Sequence, residues 1–78
     1  MRFTILKALK SYFRGNIAKH IANVNVHLEN SMGVAEHSDH IETVEKELEI
    51  IASYEDKLNV LLKYFDDDEK SDKEVING

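Results

Sequence analysis

Residues 36–65, EHSDHIETVEKELEIIASYEDKLNVLLKYF, place their apolar side chains on a seven-residue repeat. With Ile41 as the first seam position, Ile41, Leu48, Glu55 and Leu62 fall in one row, and Val44, Ile51, Leu58 and Phe65 in the other. Seven of these eight positions are apolar, the pattern of a helix that lies along another helix. Tyr54, Leu61 and Ala52 widen the stripe. Asp39 has the chemistry of an N-cap, and Glu42 three residues later completes a capping box. A helix is therefore predicted over about 39–66.

The first half of the chain supplies the second helix. Phe3, Leu6, Leu9, Phe13, Ile17, Ile21, Val24 and Leu28 are spaced by three or four throughout, one face of a helix over about 4–29. Gly15 lies inside it and costs about 1 kcal/mol relative to Ala. The stretch RGN could instead be a break, with Asn16 capping a second segment. Register favours continuity. The connection NSMGVAEHS is short and contains Gly33, so the two helices must pack antiparallel. Folding about residue 34 sets Leu28 against Ile41, Val24 against Val44, Ile21 against Leu48 and Ile17 against Ile51. Beyond Gly15 it sets Leu9 against Leu58, Leu6 against Leu62 and Phe3 against Phe65. These layers agree only if the helix runs through Gly15. The same register brings Glu55 close to Arg14 or Asn16. The fold class expected is all-α, an antiparallel two-helix hairpin.

Composition bounds what else the chain can be. Its 78 residues allow one domain, with no Cys, no Pro and three Gly, which excludes disulfides and Cys-based zinc sites. Without disulfides, the cytoplasm is the default location. No stretch is apolar enough for a membrane span, and Lys7 and Lys10 interrupt the run that a signal peptide would need. The hairpin domain is expected over 1–66. Residues 67–78 read as a disordered acidic tail. Two helices bury one stripe each, a small core for a chain this short. Ile5, Ala8, Tyr12, Ala18, Ala22, Ile50, Tyr54 and Leu61 remain outside the seam. They predict a homodimer that assembles as a four-helix bundle, with Ile5, Ala8, Tyr12, Ile50, Tyr54 and Leu61 at the oligomer or partner interface.

Each chemistry-bearing group has an ordinary reading beside the functional one. His37 and His40 are three apart and, with Glu36 and Asp39, could face one metal ion. They match no zinc motif, and exposed His and capping Asp are common at a helix start, so no metal or cofactor is expected. His20 and His27 share one side of the first helix, as a pH-sensitive interface or as polar residues beside the seam. Glu55 interrupts the apolar seam. Without a converging carboxylate or nucleophile, its expected role is to specify register or oligomeric state. Lys7, Lys10 and Arg14, beside Tyr12 and Phe13, form a basic face that could meet phosphates or an anionic membrane.

Charge weighs against those two partners. The formal net charge is −5, and Asp66, Asp67, Asp68 and Glu69 would lie near the same bases in the hairpin. Residues 1–28 carry five bases and no acid, and residues 36–69 carry twelve acids and three lysines. A basic helix thus lies along an acidic one. No phosphate loop, nucleophile elbow or catalytic carboxylate pair is present, and no catalytic residue or enzymatic activity is expected.

The phrases GNIAKHIANVNVHLEN, GVAEHSDHIE and IASYEDKLNVLLKYF resemble small helical proteins of contractile-tailed bacteriophages of marine cyanobacteria, over roughly residues 8–65. The resemblance implies a viral protein acting in the cytoplasm of an infected cell or in the virion. It brings no functional residues with it. The expectation is a non-enzymatic helical protein that binds a protein partner, a host protein or a virion component, through its helix faces. The alternative is nucleic-acid or anionic-membrane binding by the first helix.

Overall fold

Two helices form from the two stripes. The computed structural model describes residues 1–30 and 37–66. Helix α1 spans Arg2–Asn30 and helix α2 spans His37–Tyr64. They pack on each other as a hairpin. The expected tail, 67–78, and the connection around Gly33 lie outside the described residues.

Helix α1 is continuous through Gly15. A Cβ added there meets nothing within 4 Å. Alanine at this position restricts the unfolded chain and favours the helix without a clash. Gly15→Ala is expected to add about 0.5–1 kcal/mol of stability. A thermal melt should rise by about 2–8 °C.

Helix α2 starts two residues before the expected cap. Asp39 therefore lies in its first turn, where a carboxylate complements the helix dipole, and is not the N-cap. At the other end, the Phe65 amide donates to the Leu61 carbonyl at 2.9 Å. The Phe65 carbonyl is an orphan acceptor of the helix end. Arg2 reaches across from the start of α1 and donates to it at 2.7 Å. The open end of the hairpin is thus tied by the first turn of one helix and the last turn of the other.

The register is the one that the stripes required, to within about a residue. His27 meets His40, His20 meets Glu47, and Phe13 meets Tyr54. The rotation of the helices is different. The half-buried residues of α1 are Leu6, Lys10, Phe13, Asn16, Ile17, His20, Asn23, Val24 and His27. On α2 they are His40, Thr43, Val44, Glu47, Ile50, Ile51, Tyr54, Leu58 and Leu62, with Leu61 buried. The row of Val44, Ile51 and Leu58 stands as expected. The other row moves back by one residue, so that Glu47 replaces Leu48 and Tyr54 replaces Glu55. On α1, His27 and His20 replace Leu28 and Ile21, and Lys10 replaces Leu9.

The physical reason is pairing. The displaced row brings together polar groups that satisfy one another, and a half-buried polar group is tolerated only with a partner. Glu55 is consequently exposed and does not break the seam. Among the described residues, Leu61 is the one buried apolar side chain, at 9% exposure. The molecule is 15 Å across its thinnest dimension, a single layer of helices.

Candidate functional site

The seam alternates polar and apolar levels. At the middle of the hairpin, His20 Nδ1 lies 2.5 Å from Glu47 Oε2, and Asn23 Nδ2 donates to Glu47 Oε1 at 3.3 Å. The His20 ring holds the Glu47 carboxyl below its usual value of 4.5; Asn23 and the more distant His27 act in the same direction, and burial opposes them. A carboxyl depressed in this way adds stability above its usual pKa and loses it as pH falls through the depressed one. Glu47→Gln keeps the shape and removes the titration. The fall in melting temperature from about pH 5 to about pH 3 should be smaller in the variant than in the parent. An equal fall would place the acid sensitivity elsewhere.

An aromatic cluster fills the next level. Tyr54 packs against Tyr12 at 6.0 Å between ring centroids, Phe13 at 6.1 Å and His20 at 6.4 Å. A hydrogen bond with Tyr12, and then burial, raise the Tyr54 phenol above its ordinary value. Lys57 lies over the outer face of the same ring, 5.0 Å from its centroid. Near the open end, Lys10 pairs with the buried Asp66 at 2.5 Å.

Tyr54 and Leu61, expected at an outer interface, therefore belong to the hairpin seam. Ile50 is half-buried, and Ile5, Ala8 and Tyr12 are exposed. The basic face is also split: Lys7 and Arg14 are exposed, whereas Lys10 turns into the seam. Of the acids expected near these bases, Asp66 pairs with Lys10, and Asp67, Asp68 and Glu69 lie outside the described residues. His40 meets His27 of the other helix. The side chain of His37 is outside the described residues, and no cluster of three or more potential metal ligands occurs among the described ones.

The rotation leaves an apolar face in the open. Ile21, Leu28, Ile41 and Leu48 each follow a seam residue directly, so they lie along one flank. They are exposed at 45%, 58%, 69% and 52%. Leu28, Ile41 and Leu48 line one groove near the connected end of the hairpin, with Val44 beneath. Farther along the same flank come Arg14 and Lys7 on α1, and Glu55 and Leu62 on α2. This face was legible as the row of the repeat headed by Ile41; its direction was not. A second, opposite groove is lined by Leu9, Val60 and Phe65 around Lys57.

No helix among the described residues is long and apolar enough to cross a membrane. No family model, curated protein or solved structure matches the chain.

Proposed function

We propose that the protein is a non-enzymatic helical interaction module whose first partner is a second copy of itself. The observation that carries this reading is an inversion: polar pairs occupy the hairpin seam while Ile21, Leu28, Ile41 and Leu48 face outward. Full burial of each such side chain is worth about 1.5–3 kcal/mol, and an isolated hairpin forgoes roughly half of it. A single layer of helices with one buried apolar residue among those described is poor support for so many ordered residues.

Charge argues for a copy of this chain as the occupant. Helix α1 has five bases and one acid, Glu29, whereas α2 has seven acids and three lysines. A two-fold axis parallel to the helices lays α1 of one copy against α2 of the other, antiparallel and at the same level. Leu28 and Ile21 then meet Ile41 and Leu48 of the second copy, and Arg14 comes level with its Glu55. Glu55 keeps the specificity role expected of it, on the face between copies. The product is a four-helix bundle with both connections at one end. The opposite flank, with Ile5, Tyr12 and Val60, remains for a protein partner, a host or virion component on the phage reading.

Nucleic-acid or membrane binding has less support, because Lys10 is turned inward to Asp66. Sedimentation equilibrium at micromolar concentration tests the proposal. It should return twice the 9.0 kDa chain mass. A folded monomer with a concentration-independent melt would refute it.

A further inference from the structure

The seam ends, beside the connection, in two imidazoles. His27 Nδ1 and His40 Nδ1 stand 3.2 Å apart, with ring centroids 5.4 Å apart and planes at 67°. As a hydrogen bond this arrangement needs one ring to donate and the other to accept. The same spacing suits coordination. With metal–nitrogen bonds of about 2.0–2.1 Å, two imidazole nitrogens of a tetrahedral site lie roughly 3.3–3.4 Å apart. The two lone pairs can therefore converge on one ion through ring rotation, with little movement of either helix. Both residues are half-buried. The groove lined by Leu28, Ile41 and Glu45 lies beside them and is open in the single hairpin.

We infer that His27 and His40 form an interhelical site for a borderline divalent transition-metal ion such as zinc. Imidazole suits such ions, whereas magnesium demands oxygen ligands. His27 and His40 supply two ligands, and among the described residues no third His, Cys, Asp or Glu joins them in a cluster. Two protein ligands make an exchangeable site rather than a closed structural centre. One ligand comes from each helix, so the ion binds the folded hairpin in preference to the unfolded chain and stabilises it. The ligands must be neutral, and acid therefore releases the ion.

The test uses the full chain with zinc chloride and, in parallel, magnesium chloride. Zinc at about ten times its dissociation constant should raise the melting temperature by about 6–11 °C, and magnesium should not. Calorimetry should give one zinc per chain. His27→Ala and His40→Ala should each abolish the shift, and His37→Ala should retain it. A shift that survives His27→Ala, or that is lost in His37→Ala, overturns the assignment. Imidazole NMR of the parent protein needs no variant. Zinc should move the ring signals of His27 and His40 together and leave His20 in place. Movement confined to other rings, or none, overturns the assignment equally.

Discussion

Leu48→Asp is expected to turn the dimer into a monomer. Leu48 is about half exposed in the hairpin, so the change costs the single chain little beyond the helix preference of Leu over Asp, about 0.5 kcal/mol. In a two-fold dimer each substitution acts twice. The exposed halves of two leucines amount to about 1.5–3 kcal/mol, before the larger cost of burying two carboxylates. Association should weaken by at least about a hundredfold. Sedimentation would then show the mass of one chain at concentrations where the parent shows two. Val26→Asp is the matched control. Val26 is also exposed, but it precedes His27 where Leu28 follows it, and so lies on the other flank. It should leave the mass unchanged. If Val26→Asp dissociates the dimer and Leu48→Asp does not, the copies meet through the opposite face.

Leu61→Ala should be the most damaging truncation within the hairpin itself. Leu61 is buried, whereas its neighbour Leu62 is half-buried. A buried Leu→Ala change costs about 2–5 kcal/mol through lost transfer energy and the cavity left behind. The melting temperature should fall by more than about 8 °C. Leu62→Ala should cost clearly less. The pair of melts reads out the rotation of α2 directly, because a seam through Leu62 would reverse their order. Both variants should keep the parent mass when measured well above the dissociation constant.

The existence of both helices, their antiparallel pairing and the register were legible because spacing alone determines them. The passage of α1 through Gly15 followed from layers that match on both sides of it. The rotation was not legible. A stripe broad enough to hold Ile41, Val44, Leu48 and Ile51 is compatible with several orientations, and periodicity does not choose among them. The choice depends on which polar groups find each other across the seam, and that requires the second helix in place. His20 and Glu47 are both unremarkable in their own helices; only their meeting makes them interior residues. Glu55 misled for the same reason. It was a flaw in a row assumed to be inside, and that row faces outward. The aromatic cluster around Tyr54 was hidden similarly, since Tyr12, Phe13 and His20 converge only from the opposite helix.

The alternation of polar and apolar levels bears on how the chain reaches its native state. A uniformly aliphatic repeat would accept a partner helix displaced by one heptad almost as readily as an aligned one, and each such arrangement would be a trap during folding. Here a displacement in one direction sets Phe13 against Glu47, and in the other it carries His27 away from His40. The first buries the Glu47 carboxylate without its mate, which costs about 1–3 kcal/mol and makes it short-lived; the second gives Glu47 to His27 and leaves His20 facing Tyr54 without its carboxylate. The landscape keeps a single deep minimum although the sequence is nearly periodic. Folding of this hairpin should accordingly follow a single exponential, without a slow phase from chains that paired out of step.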